Sequence, residues 1–147
     1  MTTLRILLVD DHPNIRTFLA SRISRETDMD VVCQASIETE LAKCLRHASP
    51  HVVLIDPYIK GELSFAMVES IIKRAPDVVI VVLTSVADTW QRMEMERMGV
   101  YAVLNKEIAS HLLVEKLREA GSAFFPTLFP LEAKPIPISN PKILPAS

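Results

Sequence analysis

Cysteine is scarce: the 147 residues contain two, Cys33 and Cys44. Their separation fits no zinc or iron–sulfur ligand pattern and both lie in apolar segments, so the sequence predicts two buried, reduced thiols. Charge of one sign is lacking too. A formal net charge of −2, with acids and bases interspersed, gives no global electrostatic reason to bind nucleic acid. No apolar run approaches the roughly 18–20 residues of a membrane span. The N-terminal MTTLRILLVDDHP has an apolar stretch too short for a secretory signal, closed by two aspartates. The expectation is therefore a cytoplasmic protein. No internal repeat is visible. What is there is a soluble balance, 49% hydrophobic and 23% charged, in a chain long enough for one domain with a real core.

Short β-branched runs alternate with amphipathic stretches. The runs are Ile6–Val9, Val31–Ala35, Val52–Ile55, Val78–Leu83 and Val100–Leu104. Runs this short and this apolar suit strands buried on both faces, as in a parallel sheet. Between them Ile15, Phe18, Leu19 and Ile23 repeat at helical spacing, with Pro13 where a first turn accepts proline. Ser36 is placed to cap a helix carrying Leu41, Cys44 and Leu45, and Ser64 another carrying Val68, Ile71 and Ile72. A fourth helix is expected over Thr89–Met98, closed by Gly99, and a fifth from near Ser110, closed by Gly121. The order predicts an α/β fold: a doubly wound, five-stranded parallel sheet of (βα)5, flavodoxin-like type over residues 1–121. After Gly121 the texture changes. Residues 122–147 hold six of the ten prolines and no regular period, which reads as a Pro-rich tail or linker. Its apolar residues, among them Phe124, Phe125 and Phe129, suit packing on the domain or on a partner.

Doubly wound folds place their sites at the carboxyl ends of the strands. Reading those ends gives Asp10-Asp11, Asp56, Thr84-Ser85 and Lys106. Each alone is an ordinary turn, cap or surface residue. Together they make a chemistry. Three converging carboxylates repel one another unless a cation is present, and oxygen ligands favour a hard divalent ion, Mg²⁺ above all where phosphate is handled. Lys106 supplies positive charge for an incoming anion, and Thr84 a hydroxyl donor. A carboxylate can then act as nucleophile and become an aspartyl-phosphate.

The segments LLVDDHP (7–13), VVLIDPYIKG (52–61), VVLTS (81–85) and VYAVLNK (100–106) resemble the receiver domains of two-component response regulators, over about residues 4–121. The DDHP phrase is most similar to receivers of the helix-turn-helix (LuxR-type) transcription regulators. The resemblance implies that Asp56 is the phosphoacceptor. It implies that Mg²⁺ is held by Asp11, Asp56, the backbone carbonyl of Tyr58 and, through water, Asp10. Thr84, Ser85 and Lys106 are implied to bind the phosphoryl group, Ser85 through its backbone N–H, with Thr84 shifting on activation. The phosphate source would be a histidine kinase, a phosphotransfer protein or a small acyl phosphate. Enzymatic activity would be confined to the chain's own phosphorylation and dephosphorylation.

Three positions depart from the family pattern. Where receivers usually carry a switch aromatic, three residues before the lysine, this chain has Val103; Tyr101 lies two residues earlier, on the same face of a regular strand. Proline directly follows the phosphoacceptor, in DPYIKGELS. Glu107 follows Lys106 where proline or a short capped loop is usual. The bulky Tyr58, two residues after Asp56, is placed to restrict attacking water.

The implied output surface is the fourth helix, fifth strand and fifth helix, where Trp90, Met93, Met95 and Met98 offer either core filling or an adaptable contact face. Residues 122–147 lack the two helices of a helix-turn-helix, so no DNA-binding module is expected within this chain. The expected function is a phosphorylation-activated response regulator, signalling through protein contacts or through an output domain beyond the tail. A homodimer through the first and fifth or the fourth and fifth helices is compatible with the pattern. The alternative is a constitutive receiver-fold interaction module, motivated by Val103.

Overall fold

The computed structural model describes residues 2–130. Seven strands and five helices follow in order: β1 (Leu4–Val9), α1 (Pro13–Ile23), β2 (Met29–Ala35), α2 (Glu38–His47), β3 (Val52–Ile55), β4 (Tyr58–Ile59), β5 (Glu62–Leu63), α3 (Phe65–Arg74), β6 (Val79–Thr84), α4 (Thr89–Met98), β7 (Ala102–Asn105) and α5 (Ser110–Phe124). Five strands form a parallel sheet in the order β2-β1-β3-β6-β7. This is the doubly wound flavodoxin-like fold that the alternation of runs predicts. β4 and β5 form a small antiparallel hairpin that the sequence reading lacks. With two short, partly polar strands it has no apolar period to read, and its turn relies on Lys60 (φ 51°) and Gly61 (φ 83°) in the left-handed region.

Strand alternation divides the core in two. Leu4, Ile6, Leu8, Val52, Leu54, Val79, Val81 and Leu83 face the layer of α1 and α5, meeting Leu19, Ile23, Leu113, Val114 and Leu117. Leu7, Val9, Val53, Ile55, Ile80 and Val82 face α2, α3 and α4, meeting Leu41, Met67, Val68, Ile71 and Met95. Every residue of β3 and β6 is buried, which explains their unbroken apolar runs.

Local signals hold where chemistry enforces them. Pro13 occupies the first turn of α1, Ser64 caps α3 by accepting from the Met67 N–H, and Gly99 ends α4 at φ 114°. Ser36 lies just before the N-cap of α2, with its hydroxyl donating to Glu40 at 2.7 Å. Gly121 does not close α5. The helix runs on to Phe124, and an ideal Cβ at Gly121 would lie 2.7 Å from Leu4 Cδ1. There glycine serves a close approach between helix and strand. The following turn packs Phe125 and Phe129 edge-on against His51, at ring separations of 5.1 and 4.9 Å. The rest of the expected tail, 131–147, lies outside the described residues.

The expectation of reduced cysteines is corrected. Cys33 and Cys44 are joined by a disulfide, with Cα atoms 5.9 Å apart. The pair ties the sheet-edge strand β2 to α2, a proximity that only the folded hairpin of strand and helix creates. Closing so short a loop contributes about 2–3 kcal/mol. Cys33→Ser should therefore lower Tm by roughly 10 °C. Thermal melts of variant and oxidised wild type, with thiol titration of the denatured wild type, check this. Free thiols in the wild type, or an unchanged Tm, would reject the cross-link.

Candidate functional site

Asp10 and Asp11 follow β1, Asp56 follows β3, Thr84 ends β6 and Lys106 follows β7, so adjacent parallel strands deliver all five to one sheet edge. Ladder-like bonds set the backbone there: Asp56 N–H donates to Val9 O at 2.9 Å, and Lys106 N–H to Thr84 O at 3.1 Å. The Lys106 ammonium bridges two acids, 2.8 Å from Asp10 Oδ2 and 2.6 Å from Asp56 Oδ2. Asp10, Asp56 and Thr84 are buried.

Burial alone would raise the Asp10 carboxyl, but hydrogen bonds from Lys106 and from the His12 backbone and ring outweigh it and hold the group below its ordinary range. Burial likewise opposes charge on Lys106. The two carboxylates overcome it and raise the ammonium above its usual value. Burial, helped by the Asp88 and Asp56 charges, raises the Tyr58 phenol, which stays protonated at neutral pH.

His12 is the residue that sequence reasoning missed. Its backbone N–H donates to Asp10 Oδ1 at 2.9 Å, and its Nδ1 lies 2.8 Å from Asp10 Oδ1 and 3.0 Å from Asp11 Oδ1. Its place directly after the two aspartates was the available signal. Asp10, Asp11 and His12 offer ligand atoms all within 4.8 Å of one another, a group able to hold a metal ion. Two buried polar atoms test the fit: Asp11 Oδ1, whose 3.0 Å contact with His12 Nδ1 does not make a hydrogen bond, and Thr84 Oγ1 have no hydrogen-bond partner among the described residues. Such atoms are costly unless something accepts or donates there. A divalent cation would satisfy the first, and an anion beside Lys106 the second.

Tyr58 is buried on β4, with its N–H donating to Asp56 Oδ1 at 3.0 Å. Ser85 is exposed just beyond β6. Val103 is buried under α4 with Met95. Tyr101 does not share its face. It precedes β7 and packs on the opposite layer, with its ring 5.7 Å from that of Phe124. The chain bends before β7 begins, so regular strand alternation does not reach Tyr101. Of the sulfur-rich segment, Met95 is core, whereas Trp90 and Met93 are exposed by 62% and 57%.

A strand-end site of three acids, a threonine and a lysine on this sheet defines a receiver. The chain belongs to the response regulator receiver domain family, whose model matches residues 6–118. It is 28% identical over 118 residues to the transcriptional regulatory protein LiaR of Bacillus subtilis, covering 80% of this chain and 56% of that protein. It is 26% identical over 146 residues to a Ycf55-like protein of Synechocystis, covering 97% of this chain and 26% of that protein. The response regulator domain of Thermotoga maritima CheB superposes with a TM-score of 0.72 at 25% identity, covering 80% of this chain and 96% of that domain. The chain thus spans about half the length of LiaR and a quarter of the Ycf55-like protein. The receiver reading of the motifs and its link to transcription-regulator receivers stand. Among the described residues no helix is long and apolar enough to cross a membrane.

Proposed function

We propose that this chain is a phosphorylation-activated response regulator whose phosphoacceptor is Asp56. The observation that carries the reading is the Lys106 ammonium held between Asp10 and Asp56, next to the unpartnered Thr84 hydroxyl. One carboxylate oxygen of Asp56 attacks the phosphorus of a phosphohistidine or a small acyl phosphate. The P–N or P–O bond breaks, and histidine or carboxylate departs with the electron pair. Mg²⁺ held by Asp11, Asp56, the Tyr58 carbonyl and, through water, Asp10 would supply charge neutralisation at the phosphoryl oxygens. Lys106 pairs with those oxygens, and the Thr84 hydroxyl and the Ser85 backbone N–H donate to them. His12 orients Asp10. No other enzymatic activity is proposed.

The switch would reach past the expected boundary at 121 to about residue 129, since α5 runs on to Phe124 and Phe125 and Phe129 pack on His51. The tail beyond it would link the switch to a further segment, consistent with the longer relatives. The donor would be a histidine kinase or phosphotransfer protein in the cytoplasm. Exposed Trp90 and Met93 favour a downstream protein contact, or a homodimer, at the face of α4, β7 and α5. Intact mass after incubation with acetyl phosphate and Mg²⁺ tests the reading. A single phosphoryl adduct, lost with EDTA, is expected. A folded chain that takes no phosphate from acetyl phosphate or from a kinase donor would instead be a constitutive interaction module.

The Tyr58 ring beside the acceptor adds a kinetic expectation. Tyr58→Ala opens the acyl phosphate to water, so the adduct should decay several-fold faster than in wild type. Following adduct loss by mass after donor removal measures this, and an equal or slower rate rejects the shielding role.

A further inference from the structure

Val103 leaves the receiver without an aromatic ring on β7, yet α4 still touches the phosphoacceptor loop at one polar point. The Tyr58 hydroxyl donates to Gln91 Oε1. Gln91 is not an incidental surface residue. Its Oε1 also accepts from the Asp88 N–H at 3.2 Å, and its own N–H donates to Asp88 Oδ1 at 2.7 Å, closing the capping box that starts α4. The other end of the same tyrosine reaches the acceptor, where its N–H binds Asp56 Oδ1. One buried residue therefore holds the acceptor carboxylate by its backbone and the first turn of α4 by its side chain.

We propose that Tyr58 and Gln91 are positioning residues that carry the state of Asp56 to the N-terminal cap of α4, doing from β4 the work of a switch aromatic. The inference rests on Asp56 being the phosphoacceptor. A carboxylate oxygen accepts a charge-assisted bond from the Tyr58 N–H; an acyl-phosphate oxygen accepts a weaker one. Few other backbone bonds hold Tyr58 when that one weakens, because it sits in a two-residue strand paired only with Glu62–Leu63. The ring is packed, so the shift is transmitted to its hydroxyl rather than absorbed by rotation. Gln91 Oε1 serves two donors, and losing or re-aiming one changes how firmly it holds Asp88. The helix it starts is suited to respond. α4 buries a single side chain, Met95, and is otherwise tied to β7 by Arg92 Nη1 donating to Val103 O at 2.9 Å. Trp90 lies in the same turn, with its ring 6.3 Å from Phe65 at the start of α3.

Trp90 is the only tryptophan and so reports this turn directly. The full chain is treated with acetyl phosphate and Mg²⁺. Trp90 emission and intact mass are read on the same samples, and the emission change is expressed per phosphorylated molecule. Wild type should show a phosphorylation-dependent change. Tyr58→Phe and Gln91→Ala should each reduce it at least threefold, and Gln91→Glu, which keeps an oxygen acceptor, should restore most of it. A purely structural role would alter stability in these variants without changing the phosphorylation-dependent difference. Full Trp90 responses in Tyr58→Phe and Gln91→Ala would overturn the inference, as would a phosphorylated wild type with a silent Trp90. A wild type that takes no phosphate from acetyl phosphate or from a kinase donor would show in the mass channel and defeat the acceptor assignment itself.

Discussion

Asp56→Ala should take the protein from one phosphoryl group per chain to none, under conditions that phosphorylate the wild type. The choice among three clustered acids follows from what already occupies their oxygens. Asp10 has both engaged: Oδ1 by the His12 backbone and ring, Oδ2 by Lys106. Asp11 offers a buried Oδ1 that makes no hydrogen bond, with only the His12 Nδ1 contact at 3.0 Å beside it, a lone pair open to a metal ion. Asp56 keeps a single backbone donor on Oδ1 and the ammonium on Oδ2. Both acids beside the ammonium have each oxygen engaged, but Asp10 carries three donors and Asp56 two, so Asp56 keeps more of the unshared lone pairs that a nucleophile needs beside positive charge. The variant should also fold. Removing Asp56 leaves Lys106 paired with Asp10 and lowers the number of crowded carboxylates, so Tm in EDTA should be kept or raised. Intact mass with acetyl phosphate and Mg²⁺, next to a melt, reads both. A persisting adduct would move the acceptor to another side chain.

The fold was legible because parallel strands covered on both faces must be apolar at every position, as β3 and β6 are. The site was legible because this topology gathers strand ends, so Asp10, Asp11, Asp56, Thr84 and Lys106 needed only correct strand boundaries to be brought together. What escaped depends on contacts between elements. The disulfide joins positions 33 and 44, whose spacing says nothing until β2 and α2 pack. Gly121 looks like a helix stop, but it answers to the Leu4 side chain across the layer. Tyr101 and Val103 have strand-like spacing, yet a bend separates their faces. His12 was missed because histidine next to a proline-started helix reads as a turn residue, whereas here its ring meets two carboxylates.

Lys106→Met should cost about 3 kcal/mol in EDTA near neutral pH, since removing one partner of a buried ion pair strands the other charges. That is a Tm loss of roughly 10 °C. The pH dependence separates charge from packing. In wild type, Asp10 is held below its ordinary value of 3.8, so its contribution is present above that value and fades as pH falls through the lower folded one. Lys106 is raised above 10.5, so its contribution is complete below 10.5 and fades as pH rises through the higher folded one. The Asp10–Lys106 pair is thus electrostatically whole from about pH 4 to about pH 10. Without the ammonium the sign reverses for Asp10, which keeps the burial that raises its carboxyl and loses the hydrogen bond and charge that offset it, so the group is pushed upward. Acidification from pH 7.5 to pH 5 should then narrow the gap between variant and wild type, because the raised carboxyl takes a proton. Millimolar Mg²⁺ should also narrow it at pH 7.5, by binding the folded site in place of the missing cation. Melts across that pH range, with and without Mg²⁺, measure both effects. A gap that ignores both would mean that Lys106 acts through the packing of its methylene stem, and its role opposite a phosphoryl group would lose its electrostatic basis.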